Sequence, residues 1–505
     1  MSLEKQSLER KTSTPDRNSE IESGVEFTRD EELRLLRKFD FFILPPLAFM
    51  YLCNALDKGN VGNAKTAGWD KDIHLKGNQY YLLVMIFYVP FCLFGTPISL
   101  FVKRFSAARV LPIMMIGFGS MALLAGVAKN FSQIFAIRFF LGIFESPMLP
   151  AVVYYLSTFY KRNELASSSR GVLRRIFYCR SLLGIDCLWL APLSIYLRNL
   201  RTSPGVFHIN NSKYHSWQFL FWIEGAGTVV FATFAWFWLP RTPGTWSFLT
   251  ARQKEIARAR ILADSSVVID EKVNIGDAFA PFKSILYWVW ILISISLGVP
   301  LASVNNFLPQ IIAGFHYSTV KTNLYTVAPN ILGTVALLLL TFSSDYFRER
   351  SIHICIPLAT GITGFLILRF INVLEHLHVA YFACFLITMG AFAPSVLVAT
   401  WYSNNTNQES RRAVVAAVMV AFANSAGLIS TNVFRAQDEP RYIPALATSA
   451  AFGSFCFILV AGTGIWMRWE NARRNREQGV NISAKDVDTS TLQDGPANPS
   501  FRYMY

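Results

Sequence analysis

The sequence predicts an all-α membrane protein built of two six-helix bundles joined by a polar loop. Three observations carry this. Only 16% of the 505 residues are charged and 52% are hydrophobic, whereas a soluble domain has about 25% charged residues. Residues 79–102, 284–320, 376–408 and 442–467 contain no Asp, Glu, Lys or Arg, runs of 24, 37, 33 and 26 positions, and about 20 apolar residues suffice to cross a bilayer core. These runs recur along the chain and are interrupted once, at 240–283, by a long polar segment. The spans are helical because a helix satisfies its own backbone hydrogen bonds in lipid. A soluble enzyme, a secreted disulfide scaffold and a disordered chain are excluded.

Taken in order, residues 1–38 are polar, have no signal-peptide run and read as a disordered cytoplasmic tail. Spans follow at about 41–56, 79–102, 110–128, 132–157, 176–197, 217–239, 284–312, 322–342, 351–370, 379–401, 413–434 and 444–467. The N-terminal bundle is thus 39–239, the central cytoplasmic loop 240–283, the C-terminal bundle 284–468, and 469–505 a disordered cytoplasmic tail. With both termini inside, cytoplasmic segments hold 33 of the 47 Lys and Arg and external loops hold 12, the bias expected of inside loops. Tyr80, Tyr81, Trp217, Trp238, Trp288, Trp401 and Trp466 lie at span ends and read as interfacial belts. Within the central loop, Thr250 and Gln253 form a capping-box pattern ahead of a short basic amphipathic stretch, 254–262. The seven cysteines include no CxxC pair and read as packing residues. No metal, cofactor or nucleic acid is expected. The absence of a GxxxxGK[ST] loop argues against an ATP-driven pump.

Ionisable groups inside spans are costly and are functional candidates. On span four, Arg138 and Glu145 are seven apart and share a helix face, with Gly142 between them. This suits a carboxylate that exchanges a proton beside a cation, or a structural network between helices. At the end of span one, LDKGNVGNA (56–64) places Asp57 and Lys58 beside Asn54, with Asn54 and Asp57 on one face. Lys58 could receive an anion there or snorkel to water. Glu224 on span six fits packing or coupling. Asn305, Asn306 and Asn330 supply neutral hydrogen-bonding groups in apolar runs, suited to a site between the halves or to helix contacts. The turns KRFSAAR (103–109) and SDYFRER (344–350) occupy matching places in the two halves. Lys103, Arg104, Asp345, Arg348 and Arg350 are therefore candidates for a conformational clamp.

RFFLGIFESPMLPAVVYYLSTFYKRNELA (138–166) resembles the fourth-span signature of the major facilitator superfamily, and more narrowly the anion:cation symporter branch and its fungal allantoate permease group. The stretches 56–64, 77–91, 216–225, 404–430 and 438–453 match the same group in order, so the resemblance covers about 33–475. It implies a twelve-helix major facilitator fold, a monomer in the plasma membrane, and proton-coupled uptake of a small organic anion such as allantoate, nicotinate or pantothenate. By motif position, Asp57 and Glu145 would exchange the proton. Lys58 stands where the group usually has Arg, a point charge in place of a bidentate fork.

The fifth span departs from that pattern. Residues 167–205 carry Arg170, Arg174, Arg175, Arg180, Arg198 and Arg201, and their longest charge-free run, 187–197, has 11 residues. That is about half a bilayer crossing. Two readings account for it. One is a shifted reading frame or misplaced intron boundary across the segment. The other is a real span whose arginines face an aqueous anion pathway. A non-transporting, sensor-like or inactive protein is the matching alternative for function.

Overall fold

The computed structural model describes residues 27–160, 215–264, 279–482 and 498–505, apart from 316, 318, 374, 407 and 408. The expected fifth span and residues 1–26 lie outside this set.

Among the described residues the chain is helical throughout. The N-terminal half contains α1 (Arg29–Phe42), α2 (Leu44–Thr66), α3 (Trp69–Asp72), α4 (Gln79–Phe105), α5 (Ala107–Ala125), α6 (Phe131–Glu145), α7 (Met148–Ser157) and α8 (Ser216–Trp238). Helix α9 (Ala251–Asp264) lies between the halves in sequence. The C-terminal half contains α10 (Ile285–Ala313), α11 (Thr319–Phe347), α12 (Ser351–Phe370), α13 (Leu377–Asn404), α14 (Glu409–Val433) and α15 (Ile443–Gln478). Ten helices are long and apolar enough to cross a membrane, and the first part of α4, Gln79–Gly95, is a further apolar stretch. We call the end holding α1, α9 and the tip of α15 the near end, and the other the far end.

Several sequence expectations shift. Helix α1 begins at Arg29, inside the segment read as a tail, because Thr28 and Glu31 cap it reciprocally. Span one does not stop at residue 56. It runs on through α2 to Thr66, so the polar LDKGNVGNA stretch is two to three turns of helix turned into protein. The C-terminal tail is likewise partly structured: α15 continues to Gln478, and Phe501 and Arg502 are fully buried. The capping box predicted for α9 is present, with the Gln253 N–H donating to Thr250 Oγ1 at 3.3 Å and the Thr250 N–H to Gln253 Oε1 at 3.3 Å. Helix α9 packs against α1, where Lys38 Nζ donates to Gln253 Oε1 at 2.9 Å and Ile256 and Ala257 are buried. Asn130 caps α6, its side chain accepting from the Gln133 N–H.

Small residues set the closest helix approaches, as expected where lipid supplies no drive for association. A Cβ on Gly142 would overlap the Phe87 carbonyl of α4, and one on Gly390 of α13 would overlap Gly361 of α12. Span four is broken into α6 and α7 at Ser146–Pro147, because Pro147 offers no N–H to the helix ladder. The break falls immediately after Glu145.

Candidate functional site

Four polar groups of α2 and α6 meet inside the N-terminal half. Asn54, Asp57, Arg138 and Glu145 are all at most 5% exposed. Burial this complete requires partners for the charges. Lys58 Nζ lies 3.6 Å from Glu145 Oε2, and the Glu145 side chain is fully buried. Asn54 faces the same carboxylate. The Lys58 ammonium also sits over the Phe91 ring at 4.5 Å, and the Arg138 guanidinium over Phe87 at 5.1 Å. Lys58 therefore reaches inward to a carboxylate and an aromatic face instead of snorkelling to water. Its side chain keeps 33% exposure, whereas that of Glu145 has none.

Asp57 also faces α6, beside Arg138. It shares a small cavity with Arg138, lined also by Trp69, Ile134, Leu141 and Phe221. Asn60 Nδ2 bridges two carboxylates, Asp57 Oδ1 at 3.4 Å and Glu224 Oε2. Glu224 thus joins the polar cluster from α8. Its role in the cluster was not legible from its apolar surroundings in sequence.

The asparagines of the C-terminal half divide. Asn306 Nδ2 donates to Tyr88 Oη at 2.7 Å and so joins α10 to α4 across the halves. Asn330 Nδ2 donates to Thr326 O at 2.9 Å, one turn back in its own helix. Asn305 is exposed.

At the far end the halves are closed by a polar latch that sequence reasoning missed. Lys65 Nζ donates to Glu439 Oε1 at 2.6 Å, Tyr81 Oη donates to the same oxygen at 2.8 Å, and Tyr442 Oη does so at 2.9 Å. Gln310 Nε2 donates to Tyr80 Oη at 2.7 Å. Beneath the latch Phe307 stacks on Phe434 at 3.9 Å. Tyr80 and Tyr81 are 3% and 4% exposed, so they are not belt residues facing lipid. Trp217 and Trp401 are also buried, whereas Trp288 and Trp466 are exposed. The one available signal was the helical spacing of Asp57, Val61 and Lys65 on a single face of α2. Burial raises the Glu439 carboxyl, but hydrogen bonds and charge from Lys65, with the two phenols, outweigh it and hold the group below its ordinary range.

At the near end, Asp345 pairs with the Arg350 guanidinium, whose side chain is 3% exposed. Arg350 also donates to Ser344 Oγ at 2.9 Å. The pair ties the end of α11 to the start of α12. Arg348 adopts a left-handed φ of 50° in the turn between them. Glu349 accepts from Ser351 Oγ at 2.6 Å and from Arg468 at 3.0 Å. Burial opposes ionisation of its carboxyl, yet Ser351, the Ile352 N–H and His353 hold it below the usual carboxylate range. The side chains of Lys103 and Arg104 lie outside the described set.

A family model described as Major Facilitator Superfamily matches residues 47–169 and 209–431. An uncharacterized transporter of Schizosaccharomyces pombe is 46% identical over 473 residues, covering 94% of this chain and 90% of the relative. A major facilitator-type transporter of Emericella nidulans is 39% identical and covers 97% of each chain. The high-affinity nicotinic acid transporter of Saccharomyces cerevisiae is 27% identical, covering 94% of this chain and 85% of its own. Among solved structures, a bacterial homolog to the human lysosomal transporter Spinster, inward-facing and unoccupied, superposes with a TM-score of 0.59. Its identity is 15%, with coverage of 85% of this chain and 96% of that one. At that identity the likeness speaks for the fold alone.

Proposed function

Since the chain belongs to the major facilitator superfamily and is a multi-pass membrane transporter and not an enzyme, we propose that it imports a small organic anion together with a proton. The observation that carries this is the buried ion pair between Lys58 and Glu145. An ionised Glu145 occupies the Lys58 charge. Once Glu145 takes a proton, the Lys58 ammonium loses that counter-charge and attracts an anion from the central space. Proton and anion therefore enter as a neutral pair, and loss of the proton restores the internal ion pair and expels the anion. Asp57, bridged through Asn60 to Glu224, is a second proton site. Arg138 supplies positive potential beside Asp57, and Asn54 orients Glu145. Asn306 and its Tyr88 bond mark the face of the C-terminal half that meets the substrate, with Asn305 and Asn330 shaping the remainder.

The substrate class is a carboxylate of the size of nicotinate, allantoate or pantothenate. The nicotinic acid transporter among the relatives supports this, as does the resemblance to the anion:cation symporters and their allantoate permease group. The carrier works as a monomer in the plasma membrane with both termini cytoplasmic. The Asp345–Arg350 pair, with Arg348 and the matching Lys103 and Arg104 turn, holds helix ends during alternating access. Closure of the far end by the latch corresponds to a state open toward the near, cytoplasmic end.

Glu145→Gln tests the reading. Uptake driven by a pH gradient should disappear while counterflow exchange of the same anion persists. Loss of both, at normal surface expression, would count against a coupling role for Glu145.

A second reading, a facilitator-like protein that moves nothing, is favoured by one observation: the family match is interrupted between residues 169 and 209, where 167–205 also departs in sequence. The transcript across codons 160–210 separates the two. A Gly- and Ala-rich helix in that transcript supports the carrier, whereas confirmed arginines keep the second reading alive.

A further inference from the structure

The near end of the C-terminal half carries an ordered peptide contact that shares no residue with the Lys58–Glu145 cluster. Helix α15 stops at Gln478, where Gly479 takes a left-handed φ of 65°. The chain then returns at 498–505 to lie across the ends of three elements. These are the tip of α15, the end of α13 and the turn before α12.

Side chains read the backbone of this segment one residue at a time. Asn471 accepts the Tyr503 N–H at 2.8 Å and donates to the Tyr503 carbonyl at 2.8 Å. Asn405 treats Met504 in the same way, at 2.9 Å in both directions. Trp401 Nε1 also donates to the Met504 carbonyl, at 2.7 Å. The Arg350 N–H donates to the Tyr505 carbonyl at 2.8 Å, and Arg474 donates to the Phe501 carbonyl at 3.1 Å. A bidentate asparagine reproduces the donor and acceptor pair that an adjacent strand would offer, which is how extended peptides are captured at sheet edges.

The side chains of the segment are equally matched. Phe501 and Tyr503 belong to the buried core of the C-terminal half, with Trp290, Trp401 and Met467. Arg502 is fully buried. It meets neutral acceptors, Nε to Asn475 Oδ1 at 2.8 Å and Nη2 to Gln478 Oε1 at 2.7 Å. Arg468, which holds Glu349, lies over the Tyr505 ring at 4.9 Å.

We infer that α13, α15 and the turn at 348–350 form a peptide-binding groove whose ligand is this chain's own Phe-Arg-Tyr-Met-Tyr segment, docked in cis as a strap. The groove selects an extended peptide with aromatic side chains two apart and an arginine between them. The strap bonds the backbone of Arg350, and Arg350 pairs with Asp345. The occupied groove therefore anchors the charged turn between α11 and α12, and an empty groove releases it. This inference does not rest on the proposed substrate or on proton coupling.

Trypsin cleavage after Arg502, followed by mass spectrometry on the full chain in detergent, tests it. A synthetic peptide of residues 498–505 gives the unprotected rate. Cleavage in the intact chain should be at least about tenfold slower, since a buried bond is cut only after local opening. The double variants N405A/N471A and F501A/Y503A should each approach the peptide rate. The second pair changes only the strap, so a general failure of the groove to fold does not explain its result. Cleavage of the unmodified chain at the peptide rate would overturn the inference, as would full protection in both double variants. Protection that falls on dilution would assign the groove to a second copy and overturn docking in cis.

Discussion

Replacing Glu439 by Gln should open the far end of the bundle. The Glu439 carboxylate accepts from Lys65 at 2.6 Å, Tyr81 at 2.8 Å and Tyr442 at 2.9 Å. Its side chain is 42% exposed, so the ion pair is discounted to about 1 kcal/mol for solvent screening. The Tyr81 phenol, which reaches Glu439 from the other half, exchanges a charged acceptor for a neutral one, a loss of about 0.5–1 kcal/mol, whereas Tyr442 is three residues from Glu439 in the same half and keeps its bond whether the end is open or closed. Tyr81 and Tyr442 retain each other at 3.2 Å, which limits the loss to the lower part of that range. The closed state should therefore weaken by about 1.5 kcal/mol, a shift of roughly 13-fold in the open-to-closed ratio. Val61 lies behind the latch and is 2% exposed. In a background lacking the native cysteines, Val61→Cys should react with a bulky maleimide more than about tenfold faster when Glu439→Gln is added. The pH dependence has a defined sign. A carboxyl held below its ordinary value of 4.5 contributes fully above that value and ceases to contribute as pH falls through the depressed one. Labelling should stay slow between pH 7 and pH 5 and accelerate only in stronger acid. Equal labelling rates with and without Glu439→Gln would refute the latch, as would acceleration already at pH 6.

Two further changes probe what holds the halves together. Asp345→Asn leaves the Arg350 guanidinium, 3% exposed, without its carboxylate. Breaking a buried pair of this kind costs about 3–5 kcal/mol, so the yield of monodisperse protein in fluorescence-detected size exclusion should fall sharply, and Asp345→Glu should recover part of it. Gly390→Ala sets a methyl against the Gly361 backbone and the Pro357 carbonyl, which overpacks α12 against α13 by about 1–3 kcal/mol. Its melting temperature in detergent should drop, while Gly227→Ala, with nothing within 4 Å, should melt as the parent does.

The spans were legible because hydropathy is local: a run without charge such as 284–320 becomes a helix wherever it packs, and α10 occupies Ile285–Ala313 of it. Local composition fails where a polar residue faces protein. Residues 57–66 looked like the exit from span one because they are polar, yet Asp57 and Asn60 are buried and the helix continues. Tyr80, Tyr81 and Trp401 looked like belt residues by position and turned out to be buried. The segment at 501–505 looked like tail because it follows a polar stretch, and the groove that receives it is assembled from separate helices, with Asn471 32 positions from Tyr503 and Asn405 99 positions from Met504.

What the sequence alone determined is the membrane-helical class, the order and approximate bounds of the described spans, and the identity of Arg138 and Glu145 as ionisable groups inside a span and of Asp57 and Lys58 at the end of one. Periodicity and charge are enough for that, because each helix satisfies its backbone internally. Only the tertiary structure decided that Lys58 faces Glu145 and not water, that Glu224 reaches Asp57 through Asn60, and that Lys65 meets Glu439 across 374 residues of chain. Such pairings depend on the rotation and close approach of helices. Those are set by small residues such as Gly142 and Gly390 and by packing between segments remote in sequence, which no local pattern encodes.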